Sequence, residues 1–325
     1  MAVDRGPFRD AELGLSVVDP HQHFWQLGKG HYPWLEQRVP IPFRYGDYGP
    51  IRRSYLPRNY RRDTGRIRVV QTVHIESEWD RTRPCEETAW LESLSQAFGL
   101  PSACVAYAAL AGADAEEVLA GHAASAIVRG IREKPAAAAS AREARRGLPG
   151  SMDDAAWRRG YQKLSRHGFS FDLQTPWWHL DAAAELARDF PETPIILNHT
   201  ALPADRSAEG LTAWRRSLAL VAAAPNVALK ISGLGRPGLR WTFEANGPVI
   251  RDAISIFGSD RCMFASNFPV DSLVGSFDEI FACFLAAIAD RSPAERQMLI
   301  HDNARRIYRL DRGDHYWRIA NGRAI

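Results

Sequence analysis

Hydrophobic positions along the chain fall into short apolar runs separated by longer stretches with a helical repeat. The runs are "SVVDPHQH", "RVVQTVHIE", "ACVAYAAL", "AIVRGIR", "FSFDLQT", "PIILNHT", "VALKISG" and "CMFASNF". Each is short enough for a buried strand. Between them, "DDAAWRRGYQKLSRHG" opens on aspartates, sets Trp157, Tyr161 and Leu164 on one face and stops at Gly168. "HLDAAAELARDF" and "TAWRRSLALVAAA" repeat the pattern, each followed closely by proline. Strands alternating with helices imply parallel pairing, because parallel neighbours need long crossovers. Eight such units predict a (β/α)8 barrel; an open doubly wound sheet is the alternative, but no Gly-rich phosphate turn follows any run.

Two segments depart from the alternation. Residues 26–62 are rich in aromatics, prolines and arginines and too long for an ordinary loop, so an insertion after strand one that helps build a pocket is expected. Residues 133–151, "EKPAAAASAREARRGLPGS", are expected to form a mobile loop or short helix over the barrel mouth. The 325 residues, 46% hydrophobic, are read as one barrel domain, with a core from about 17 to 310. A net charge of +3 with scattered arginines does not indicate nucleic-acid binding. Cys85, Cys104, Cys262 and Cys283 show no paired spacing and read as reduced thiols. The polar N-terminus "MAVDRGPFRDAELGLS" lacks a signal-peptide core, and no apolar run is long enough for a membrane span. A cytoplasmic protein is expected, with a small-molecule substrate and no membrane or nucleic-acid partner; a homo-oligomer stays open.

The apolar runs end in polar residues. On a regular strand, Asp19, His21 and His23 would share one direction. His74 and Glu76, Arg129 and Arg132, Asp172 and Gln174, His199, Lys230 and Ser232, then Ser266 and Asn267 follow at the later ends. In a barrel these positions converge on one mouth. Unpaired buried polar groups are costly, so their accumulation points to a functional cavity. Singly, His74 could be a satisfied core residue, and Lys230 or Ser232 an internal brace. Trp25, Tyr32, Trp34, Trp177 and Trp178 would wall the pocket.

"DPHQHFW", "HYPWL", "LNHTALP", "LKISGL", "MFASNFPVD" and "NARRIYRL" resemble the lactonase-like branch of the amidohydrolase superfamily. The resemblance implies a (β/α)8 barrel. It also implies that His21 and His23 match the strand-one metal ligands of metal-dependent members. His199 matches the histidine that polarises the substrate carbonyl or assists the metal-bound water, and Arg132 an arginine that holds an acidic substrate. No strand-four lysine stands in "AIVRGIRE", and Gln174 occupies the usual strand-five histidine position, with His179 further on. The largest departure is Asn267, where the pattern has the aspartate base; an amide takes up no proton.

A replacement base is therefore sought in Glu76 first, Asp172 second, or Asp271, with Asn267 as an orienting group. His74, Gln174, Lys230, Asp271, Trp25 and Trp177 complete the substrate-binding set. At most one divalent metal, zinc or manganese, is expected, with Glu76 or His199 as a third ligand; the balance falls towards none, because the resembling pyrone lactonases work without one. The leading expectation is a hydrolase of a small carboxylated or polyhydroxylated lactone. The alternatives are a lyase or isomerase, such as a decarboxylase or cyclase, and a non-catalytic ligand-binding barrel.

Overall fold

The computed structural model describes residues 15–29 and 31–310, so most of the N-terminal stretch lies outside the described residues. Eight strands form one parallel sheet in chain order. They are β1 (Ser16–Gln22), β2 (Arg68–Ile75), β3 (Ala103–Tyr107), β4 (Val128–Arg132), β5 (Ser170–Leu173), β6 (Ile195–Leu197), β7 (Val227–Ile231) and β8 (Cys262–Phe264). The sheet closes just beyond β8, where the His23 N–H donates to Phe268 O and the Asn267 N–H to His21 O, both at 2.8 Å. The helices Pro57–Asp63, Pro84–Phe98, Ala115–Ala123, Ala155–Tyr161, Leu180–Asp189, Ala208–Ala222, Phe243–Phe257 and Phe277–Ala287 follow the strands in turn. The result is the expected (β/α)8 barrel.

Covering helices leave the strands no wet face, so β5 to β8 are buried along their whole length. That is why they read as continuous apolar runs. The stretch opening at Asp153 splits into the helix Ala155–Tyr161 and a 3-10 turn, Leu164–His167, ended by Gly168 at φ 67°. Trp157, Tyr161 and Leu164 are buried, as the helical spacing predicts. Residues 133–151 contain neither helix nor strand.

One end of the barrel is plugged. Val18, Ala103, Ile196, Ala228 and Met263 pack with Ala304, Tyr308 and Leu310 of the C-terminal segment. Arg129 belongs to this end, contrary to expectation: its guanidinium donates to Ala126 O and Val128 O. As the second residue of β4 it stands three residues before the mouth-facing Arg132, an odd separation that places the two side chains on opposite faces of the strand. Above the plug, Lys230 Nζ bonds Asp172 Oδ1 at 2.5 Å, and Tyr308 OH donates to the same carboxylate at 2.9 Å. Asn198 Nδ2 adds a bond of 2.9 Å. The other end stays open, and there the polar strand ends meet the segment 26–56.

Candidate functional site

A cavity of about 310 Å³ opens at the C-terminal ends of the strands. His23, Glu76, Arg132, Gln174, His199 and Asn267 supply its polar lining. Trp25, Trp34, Ile41, Phe43 and Val270 form the apolar wall, with Arg44 beside them. His21 lies under this lining, its ring centroid 4.5 Å from that of His199 and 5.1 Å from that of His23.

Strand β1 is not regular where it delivers the histidines. Its register shifts between Asp19 and Gln22, around Pro20, which has no N–H for the ladder. Asp19 therefore does not share the direction of His21 and His23. Its carboxylate instead accepts from Tyr60 OH at 2.7 Å, Ser266 Oγ at 2.6 Å and Ser266 N at 2.9 Å. Ser266 is thus an internal brace. His23 is oriented by Nδ1 against Ile75 O at 2.7 Å, which leaves Nε2 facing Asn267 Oδ1 at 3.3 Å. Neither ring nitrogen of His21 has a hydrogen-bond partner, although the side chain is fully buried.

His199 opens a left-handed turn in which four consecutive residues, His199 to Leu202, have φ of 52°, 55°, 56° and 54°. Such a conformation costs on the order of 1 kcal/mol per residue outside glycine. Trp214 Nε1 anchors the turn through Thr200 O at 2.9 Å. Strain held in this way is a feature of functional positions. His199 Nδ1 meets Ser232 Oγ at 2.9 Å. The approach demands a glycine opposite: a Cβ on Gly233, itself at φ +60°, would stand 2.6 Å from Nδ1.

All three imidazoles are held well below their usual pKa. Burial is the main cause in each, followed by Lys230 for His21, Arg132 for His23 and Arg44 for His199. They are neutral at neutral pH. Glu76 goes the other way: burial alone would raise it, but Arg132, Arg81 and Lys134 hold it well below the usual carboxylate range. Its Oε1 accepts from Arg132 Nε at 2.7 Å and its Oε2 from Arg81 Nη1 at 2.8 Å. A carboxylate so strongly ion-paired is a poor proton acceptor at neutral pH.

Other expected residues stand back from the cavity. Asp172 and Lys230 are paired within the barrel, with burial pulling the Lys230 ammonium down to about 8. His74 is a core residue: its Nδ1 accepts from Phe24 N at 3.0 Å, its Nε2 lies 3.4 Å from Glu87, and burial drops it to about 3. His179 Nε2 accepts from Ala138 N at 2.9 Å, away from the lining. Trp177 packs against Trp178, and Tyr32 against Trp79, so these aromatics do not wall the cavity as expected, whereas Trp25 and Trp34 do. Asp271 sits behind Asn267, accepting from Asn267 Nδ2 at 2.6 Å and Tyr45 OH at 2.9 Å. Burial pushes it up to about 6, and Oδ2 has no hydrogen-bond partner. Arg44, Phe43 and Tyr45 are additions that the sequence pattern did not single out; their only signal was a basic residue within the aromatic segment "PIPFRYGDY".

The site does not assemble the donors of a resident divalent ion. One ring nitrogen of the neutral His21 and Nε2 of His23 offer lone pairs that a metal could use. Their neighbour on the end of β8, however, is the neutral amide of Asn267. Among the described residues no three His, Cys, Asp or Glu side chains gather in a metal-holding group, whereas catalytic zinc ordinarily takes three protein ligands.

The fold and this convergence of strand-end residues define a barrel enzyme. A family model described as amidohydrolase matches residues 18–310, and the chain belongs to the amidohydrolase family. It is 39% identical over 296 residues to an uncharacterized protein, y4mH, of Sinorhizobium fredii, covering 91% of this chain and 99% of that one. It is 29% identical to L-fucono-1,5-lactonase of Burkholderia ambifaria, covering 91% and 96% respectively. An amidohydrolase of Burkholderia multivorans, solved with bound zinc, superposes with a TM-score of 0.75 at 26% identity, covering 91% of this chain and 100% of that one.

Proposed function

We propose that this enzyme opens a small lactone by hydrolysis. The observation that carries the reading is His199, neutral and strained into place on the cavity wall, with Nδ1 engaged by Ser232. When Ser232 donates to Nδ1, the His199 tautomer carries its proton on Nε2, where it can donate to the ring carbonyl. A donor fixed in place in this way stabilises the oxyanion of the tetrahedral intermediate. Arg44, on the cavity lining, adds a positive charge near it.

The water that attacks would sit on the cavity side of His23 Nε2 and Asn267 Oδ1, two acceptors 3.3 Å apart, and donate to both. Its oxygen bonds to the carbonyl carbon as its proton passes to Nε2. Asn267 Oδ1 then accepts a hydrogen bond from the imidazolium while Ile75 O holds the other side. On collapse the ring C–O bond breaks, and the leaving alkoxide takes the proton from His23, giving a hydroxy acid. This assigns the base to His23 in place of Glu76 or Asp172, both of which are occupied by cations. The L-fucono-1,5-lactonase relative, aligned over nearly the whole chain, supports the same reaction class.

A panel of γ- and δ-lactones followed by proton release tests the reading. His199→Ala should lower kcat/KM by about 10²–10³-fold, the usual effect of removing one oxyanion donor, in a variant that circular dichroism shows to be folded. If no lactone opens while a carboxylated ring loses carbon dioxide, the lyase alternative replaces hydrolysis.

A further inference from the structure

One side chain of the cavity wall is an amide, and its two ends do opposite things. Asn267 stands just beyond β8 at φ 55°, with its main chain held from both sides. Its N–H donates to His21 O at 2.8 Å, and its carbonyl accepts from Asp271 N at 3.0 Å. The side chain's remaining choice is to turn the amide over, which exchanges a donor for an acceptor. One end faces His23 Nε2 at 3.3 Å and the other faces Asp271 Oδ1 at 2.6 Å. Asn267 lines the cavity, whereas Asp271 is fully buried behind it.

The neighbours decide which end goes where. A backbone carbonyl only accepts, so Ile75 O, at 2.7 Å, draws the proton of neutral His23 to Nδ1. Nε2 is left with a lone pair. An amide nitrogen opposite that lone pair would donate to it and fill it. Asp271, raised by burial only to about 6, is ionised at neutral pH and likewise only accepts. Its Oδ1 already takes the Tyr45 hydroxyl at 2.9 Å. It takes Asn267 Nδ2 as well, but it would repel Oδ1. The amide is thus locked with Oδ1 towards His23, and the lone pair stays free. Keeping a buried carboxylate whose Oδ2 has no partner works against stability, so folding does not account for Asp271.

We infer that Asp271 is a positioning residue: it fixes the Asn267 amide so that His23 keeps a free lone pair for the proton of the water and finds an acceptor once it has taken that proton. The inference rests on His23 as the base of the hydrolytic reading. Asp271 lies behind the lining and acts through Asn267. Replacing its carboxylate by an amide removes the lock. In Asp271→Asn, either orientation of the Asn267 amide satisfies the contact between positions 267 and 271. Only the flipped one also gives neutral His23 a hydrogen bond, so the flipped amide becomes the stable one and caps the base.

Asp271→Asn is isosteric and removes a buried charge, so the variant should fold. On the lactone that wild type opens fastest, its kcat at neutral pH should fall about tenfold or more, with KM within about twofold. In the free enzyme, the nitrogen NMR resonance of His23 Nε2 should move from that of a bare lone pair towards that of a hydrogen-bonded one. On an Asn267→Gly background, which φ 55° accommodates, Asp271→Asn should change kcat by less than about twofold. In an enzyme that opens lactones, three results would each overturn the inference and leave hydrolysis standing. They are an unchanged kcat, an unmoved Nε2 resonance, and an undiminished effect on the Asn267→Gly background. If wild type opens no lactone of the panel, the resonance decides alone. Movement then upholds the lock and rejects hydrolysis, and no movement rejects both.

Discussion

Two groups of buried polar residues share the barrel, one deep inside and one at the mouth. In the deep group, both oxygens of Asp172 are bonded, and Lys230 and Tyr308 point their donors at it. Just behind the lining of the mouth, both ring nitrogens of His21 and Oδ2 of Asp271 have no partner. Both regions are equally buried, so burial does not separate them. Completeness does. Leaving a buried donor or acceptor unmet costs about 1–3 kcal/mol. The unmet atoms stand directly behind the side chains that line the cavity, whereas the deep pair is internally complete. The arginines differ likewise: Arg132 and Arg44 line the same cavity, but of the two only Arg132 has a carboxylate within hydrogen-bond distance.

The largest effect is expected where the deep pair is broken. Lys230→Met leaves Asp172 charged and buried, and should cost about 3–5 kcal/mol of stability in a denaturant titration. Replacing both residues, as Asp172→Asn with Lys230→Met, should recover much of that. A loss under about 1 kcal/mol for the single variant would mean that the pair is not structural.

Asp271 should behave in the opposite way. Its native pKa of about 6 exceeds the ordinary 3.8, so between those values the native state holds more protons than the unfolded chain. Stability therefore falls as pH rises through this window and stays lower above it. The difference is worth about 3 kcal/mol at most. Asp271→Asn should thus match wild type at pH 4 and below but be the more stable protein at pH 7. Equal stability at both pH values would show that the carboxylate is fully compensated.

The smallest effect sharpens the contrast between the arginines. Arg132→Lys keeps the charge but loses bonds to Glu76 and Gln174, so about 1 kcal/mol of stability should go. KM for a carboxylated lactone should move by no more than about twofold. A tenfold rise would return the anion clamp to Arg132.

Much of this molecule is legible without coordinates. A parallel barrel buries both faces of every strand, so each strand must be written as an apolar run, and eight such runs are present. Their ends name the residues that reach the mouth, and His23, Glu76, Arg132, Gln174, His199 and Asn267 all line one cavity. Depth was not legible. Asp172, Lys230 and His74 follow the same alternation as the lining residues, yet stand beneath or behind it, because barrel side chains stack in layers that strand periodicity does not number. Nor was the β1 irregularity at Pro20, which turns Asp19 to Tyr60.

Local pattern thus determined the fold, since hydrophobic burial repeats at the period of each element and is written residue by residue. It also determined the chemical inventory at the strand ends. Which charges neutralise one another was decided only by the tertiary structure. Arg132 meets Glu76 across 56 residues of chain, and Arg44 reaches the β7 loop across 189. Electrostatic pairing depends on distances of a few ångströms between segments remote in sequence, and no periodicity records them.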